Sequence, residues 1–184
     1  MARAGIEPYI TLMIFVCPKS KVEEAVAAHG PSHLVSLLGA EAMIDTPAGV
    51  ACARHLKLSV NDIPAPEEGK VAPGADHVAE LLAFTEDWTM EAPMLIHCWA
   101  GISRSTAAAY IVACASAPTA DEFVLAKTLR AAAPHAQPNP LLIAHADDLL
   151  GRDGRMMDAI DAIGEATCVV EGPIFPFKIG AAAR

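Results

Sequence analysis

The sequence predicts an α/β fold: a central, mainly parallel sheet of four to five strands flanked by helices. Strand-like and helix-like runs alternate along the chain, which is the pattern of βαβ units. The first strand-like run is continuous in its apolar residues, as a buried strand is. The length, 184 residues, suits one domain and would cramp two. The whole chain, 1–184, therefore reads as a single domain, with residues from about 165 onward as a C-terminal tail packing back on it.

Ile10 to Val16, between Pro8 and Pro18, is the first strand. Ser20-Lys-Val-Glu23 has the form of a capping box, so a helix should start at Ser20 and stop near His29-Gly30. HLVSLL, from His33 to Leu38, reads as a second strand, and Gly39 to Gly49 as a short turn or helix. HLKLSV, from His55 to Val60, alternates like a strand. Asn61 to Gly74 is the longest clear loop, punctuated by Pro64, Pro66, Gly69, Pro73 and Gly74. Loops of this length in compact domains usually carry function. A helix is expected from about Ala75 to Trp88, with Val78, Leu81 and Leu82 at helical spacing, then a short strand from Pro93 to His97. A small-residue helix follows, Ser105 to about Ala115, whose alanines allow close packing on the sheet. Thr119-Ala-Asp-Glu122 is a second capping box for a helix to about Ala132, and two further helices are expected over 141–150 and 155–164.

Composition narrows the function. The net charge is −9, with 53 % hydrophobic, 19 % charged and 5 % aromatic residues. That acidic balance argues against nucleic acid or a membrane surface as a partner, since both demand a basic footprint. The N-terminal apolar run is too short to span a bilayer and lacks the flanks of a signal peptide, so a cytoplasmic setting is expected. The five cysteines, Cys17, Cys52, Cys98, Cys114 and Cys168, form no CxxC pair. Zinc-ribbon spacings are thus excluded, and the set reads as free thiols, one of which can be reactive.

The informative segment is LIHCWAGISRST, from Leu95 to Thr106. Cys98 ends an apolar strand, a five-residue turn containing Gly101 follows, and Arg104 stands where a helix begins. A tight strand–loop–helix turn aims several backbone N–H groups at one point, and the helix dipole adds partial positive charge there. The field that holds an anion also favours a thiolate, and an arginine offers a planar fork for two phosphate oxygens. A thiolate below a tetrahedral phosphate so held is an in-line nucleophile. An arginine in the first turn of a helix is otherwise unfavourable, which speaks against a purely structural Cys and Arg.

HCWAGISRST resembles the His-Cys-x-x-Gly-x-x-Arg-Ser/Thr signature of cysteine-dependent protein tyrosine phosphatases, in particular the dual-specificity-like and small bacterial branch. The resemblance implies a tyrosine-phosphatase-like fold around a Cys-x5-Arg phosphate loop, and a phosphomonoester hydrolase with a phosphocysteine intermediate. It makes Cys98 the nucleophile and Arg104 the phosphate-binding arginine. The N–H groups of Trp99, Ala100, Gly101, Ile102 and Ser103 would hold phosphate. Ser105 would hydrogen-bond the sulfur, and His97 would tune it from behind. The general acid of the family lies on a loop upstream, where Asp62 opens the Pro/Gly-rich segment; Asp45, Glu67, Glu68 and Asp76 are its competitors. The loop lacks the lysines of phosphoinositide-directed members, and Trp99 instead offers an aromatic wall.

Phosphorylated protein or a small phosphomonoester is the expected substrate, phosphate or vanadate the expected site ligand, with no cofactor and no metal. His29, His33, His145 and Asp148 can be drawn as ligand sets but read as ordinary polar positions. The alternative is a non-catalytic phosphopeptide-binding module using the same cradle; sulfur or arsenate chemistry on a rhodanese-like loop would need no upstream acid. A disulfide between Cys98 and Cys17, Cys52 or Cys114 would need a separation that sequence does not give. Gly172 to Lys178, with Ile174, Phe175 and Phe177, packs on the body of the protein or serves a dimer contact.

Overall fold

The computed structural model describes residues 9–182. Five strands form one sheet in the order β3-β2-β4-β1-β5. They are β1 (Tyr9–Pro18), β2 (His33–Leu38), β3 (His55–Ser59), β4 (Met94–Cys98) and β5 (Phe175–Ala182). The first four run parallel; β5 is antiparallel to β1, with Val16 opposite Phe175. Six helices accompany them: α1 (Val22–His29), α2 (Ala75–Glu86), α3 (Arg104–Ser116), α4 (Glu122–Ala132), α5 (Pro140–Leu149) and α6 (Arg155–Ala162). The mainly parallel α/β sheet expected from the alternation is present.

Every residue of β2 and of β4 is buried, as parallel strands covered on both faces must be. On one face Val16, Val35, Leu37, Leu58 and Ile96 join the large core under α3. On the other, Cys17, Leu34 and Leu95 pack with Val22, Ala25 and Val26 of α1. The α3 sequence RSTAAAYIVACAS is buried almost all round, because alanines leave room for neighbours on every side.

Local signals were partly overridden. Ser20 does not cap α1: the residue before the helix is Lys21, with no capping side-chain bond, and Ser20 Oγ donates to Glu171 Oε1 at 2.9 Å. Asp121 caps α4 in place of Thr119, accepting from the N–H groups of Phe123 (2.8 Å) and Val124 (3.2 Å). The weakly signalled tail forms β5, and Phe175, Phe177 and Ile179 enter the core. Arg152 and Arg155 pair with the buried Glu122 at 2.9 and 3.4 Å and fasten the start of α6 to α4. Among the described residues, no helix is long and apolar enough to cross a membrane.

Candidate active site

Cys98 is the last residue of β4 and only 1 % exposed. From there the chain turns through residues 99–103 into α3. Gly101 makes the turn possible, with φ of +71°, and a Cβ on it would stand 2.8 Å from the Pro18 nitrogen and 2.9 Å from the Cys17 carbonyl carbon. Both constraints admit glycine alone without strain. The loop carbonyls are tied outward. Trp99 O accepts from Lys19 N (3.1 Å), Ala100 O from Gly172 N (2.8 Å), Ile102 O from Gln137 N (2.9 Å) and Ser103 O from Asn139 N (3.3 Å). In a planar trans peptide the next N–H points the opposite way. Anchoring these carbonyls therefore turns the N–H groups of Ala100, Gly101, Ser103 and Arg104 away from the surrounding elements, as an anion cradle requires.

Arg104 opens α3 and is 6 % exposed. Its Nη1 donates to the Val60 carbonyl at 2.9 Å, just past β3, which fixes the guanidinium plane. Its Nε is buried without a hydrogen-bond partner and lies 3.7 Å from Asp62 Oδ2. A buried donor left free in this way is suited to an anion that arrives from outside. Cys98 Sγ and Ser105 Oγ are 3.1 Å apart, within hydrogen-bond reach.

Asp62 stands over the same loop. Its Oδ1 accepts from Ser103 Oγ (2.7 Å) and from Asn139 Nδ2 (3.0 Å). Asn139 acts twice, since its Oδ1 also caps α5 by accepting from Leu141 N (3.1 Å) and Leu142 N (3.3 Å). The Asn-Pro start of α5 is readable as a cap; the tether to Asp62 is not, because it links distant segments.

Behind the cysteine runs a buried polar chain. His97 Nδ1 lies 3.4 Å from Cys98 O, His97 Nε2 2.6 Å from Ser36 Oγ, Ser36 Oγ 2.8 Å from His55 Nε2, and His55 Nδ1 2.9 Å from Thr46 Oγ1. Burial pushes both imidazoles down to about 4, so both are neutral near pH 7. Neutrality fixes the direction of every bond. Since Cys98 O only accepts, His97 Nδ1 donates and its Nε2 accepts from Ser36. Ser36 then accepts from His55 Nε2–H, and Thr46 donates to His55 Nδ1. Sequence reasoning found His97 but missed Ser36, His55 and Thr46, which sit on separate strands and a loop.

The other candidates lie apart from this cluster. Glu67 pairs with Lys70 at 2.7 Å, and Asp76 occupies the first turn of α2. Asp45 lines a separate cavity with Lys19 and Glu23, and Glu68 is exposed. Trp99 is 59 % exposed, with Lys19 Nζ 5.2 Å from its ring centroid. His29 stacks on Phe15, and His33 bonds Ser32 and packs on Phe84. Among the described residues no three His, Cys, Asp or Glu side chains are grouped to hold a metal ion. All five cysteines are free; Cys17 and Cys114 are buried, and burial pushes both thiols up to about 12. Cys17, paired in register with His97, packs on the α1 side of the sheet, whereas Cys98 belongs to the core on the α3 side.

No protein-family model and no curated protein matches the sequence. Solved structures do. DUSP15 aligns over 83 % of this chain and 94 % of its own, with TM-score 0.59 and 18 % identity. A mouse putative dual specificity phosphatase complexed with zinc tungstate aligns over 86 % and 96 %, with TM-score 0.57 and 18 % identity. Human DUSP28 aligns over 83 % and 90 %, with TM-score 0.56 and 19 % identity. The chain has the fold of the dual-specificity and tyrosine phosphatases.

Proposed function

We propose that the chain acts as one catalytic domain, a phosphoric monoester hydrolase and more narrowly a protein tyrosine phosphatase of the dual-specificity kind. One observation carries this reading: Cys98 bonded to Ser105, and Arg104 with a free buried Nε beside Asp62, all meet at one strand–loop–helix turn. The fold shared with phosphatases adds support, as does the zinc tungstate complexed by the mouse putative dual specificity phosphatase of similar fold.

In the proposed reaction, the amides of residues 99–104 and the Arg104 fork bind the phosphoryl oxygens. The Cys98 thiolate attacks phosphorus in line; the S–P bond forms as the P–O bond to the leaving group breaks, and Asp62 gives its proton to the departing oxygen. Asp62, now a carboxylate, takes a proton from water. The hydroxide oxygen attacks phosphorus, phosphate leaves, and Ser105 Oγ–H donates to the sulfur as the thiolate is restored. His97 braces the Cys98 carbonyl from behind. The work needs no cofactor, and five unpaired cysteines suit a reducing, cytoplasmic compartment.

Hydrolysis of an aryl phosphate in the presence of a chelator tests this. Wild type should turn over and be blocked competitively by vanadate. Cys98→Ser should be inactive, and Arg104→Ala should lose about 10³-fold in kcat/KM, the scale of removing a charge-stabilising donor. Folded, reduced wild type that binds phosphopeptide without releasing phosphate would overturn the reading in favour of a binding module.

A further inference from the structure

A groove of about 820 Å³ leads away from the phosphate loop. Ala100, Ile102 and Ser103 of the phosphate loop line it, together with Asp62. Met157 and Ile160 of α6 and Ile163 just beyond also line it, all half-buried, backed by the fully buried Ile143 of α5. Asp161 and Glu165, both exposed, belong to the lining too. Arg130 also borders it, but its guanidinium is committed to three carbonyls, Pro134 O (2.8 Å), Ala136 O (2.8 Å) and Gly164 O (3.0 Å). The guanidinium keeps its positive charge, with Nε buried and unpartnered, so set against Asp161 and Glu165 the lining beyond the cradle is negative by a single charge.

We propose, resting on the phosphatase reading, that the groove holds the polypeptide flanking the phosphorylated residue, and that it selects an apolar side chain next to that residue and Lys or Arg further out. The general acid must face the leaving-group oxygen, so the body of the substrate extends on the Asp62 side, which is the side of the groove. The volume falls in the range that takes a ligand of several functional groups rather than one phosphate. Met157, Ile160 and Ile163, all half-buried, offer apolar contact within the groove. Asp161 and Glu165 meet a cation and repel a second phosphate or an acidic flank. A polyanionic headgroup is disfavoured by the same two carboxylates.

The test compares phosphotyrosine peptides carrying Leu beside the phosphotyrosine and either two Lys or two Glu further out, on each side in turn. Wild type should prefer the Lys peptides by about three- to tenfold in kcat/KM, the scale of two exposed charge pairs, and the preference should shrink in high salt. Asp161→Lys with Glu165→Lys should reverse the preference while leaving aryl phosphate hydrolysis unchanged. Affinities of Cys98→Ser for the same peptides should follow the same order, a readout that survives even if turnover fails. Equal values for Lys and Glu peptides, or a preference that the double reversal does not move, would overturn the groove assignment with the phosphatase reading intact. Faster turnover of soluble inositol phosphates than of the Lys peptides would also overturn it.

Discussion

The two segments that meet at the site are built in opposite ways. The loop from Cys98 to Arg104 is held at nearly every step: four of its carbonyls are tied to backbone on other segments, and Gly101 is pressed against Pro18. The segment from Asn61 to Gly74 is exposed over Pro64 to Val71. Asn61 N bonds Val71 O (2.8 Å), Lys70 N bonds Glu67 O (3.2 Å), and Asn139 reaches Asp62 and Ile63. An anion cradle works through fixed geometry, because donors that must reorganise during reaction lose their advantage. A proton donor must approach and withdraw, and the bonds that such a movement of Asp62 would break are side-chain ones, from the Ser103 hydroxyl and the Asn139 amide.

Asp62→Asn probes the proton-donor side and, short of removing Cys98 or Arg104, should have the largest effect. With a phenyl-type leaving group kcat should fall by about 10²-fold or more, and the basic limb of the pH profile should vanish. A good leaving group should be much less affected. If the basic limb survives, Asp62 is not the acid. Asn139→Ala, which removes one of the carboxylate's two hydrogen bonds but keeps the carboxylate, should lose less.

Gly101→Ala probes the rigid side. Positive φ and a Cβ within 3 Å of the Cys17–Pro18 backbone should destabilise the fold by about 2 kcal/mol. Urea unfolding would measure it; an unchanged midpoint would mean that the loop yields more easily than its bonds imply.

The smallest effect concerns the polar chain behind the cradle. His97 is pushed down to about 4 by burial, against about 6.5 in an unfolded chain. Below pH 6.5 the unfolded chain takes up a proton that the native state refuses. Stability from this group is therefore full above about pH 6.5 and declines as pH falls toward 4. Between pH 7 and 5.5 His97 alone should remove about 1 kcal/mol, seen as a falling urea midpoint. A flat midpoint over that range would argue that the imidazole is not buried and neutral.

The same contrast explains what the sequence revealed. Cys98, Gly101, Arg104 and Ser105 lie within a few residues of one another, so strand, turn and helix signals could be read together. Asp62 was reached through the family resemblance and its place after HLKLSV, and two of its neighbours, Ser103 and Arg104, through the phosphate loop; its tie to Asn139 was not. Val60 O, Gly172 N and Asn139 Nδ2 act through long-range placement, and the first two are backbone groups available at any residue. Ser20 and Thr119 matched capping patterns, yet the helices begin later, because a side-chain motif is a local preference that tertiary contacts outweigh. The tail was obscure for the same reason: FPFKIGAA becomes a strand through its partner β1.

That pairing has a consequence during synthesis. β1 leaves the ribosome well before β5, which follows it after all six helices. Until β5 arrives, the side of β1 that it covers is an open edge on a strongly apolar segment, the kind of surface that recruits other chains. The brace from Gly172 to the Ala100 carbonyl is equally late. A nascent chain that has emerged as far as α6 thus has Cys98 and Arg104 in hand, but lacks both the strand that seals its sheet and one of the struts that shape its anion cradle.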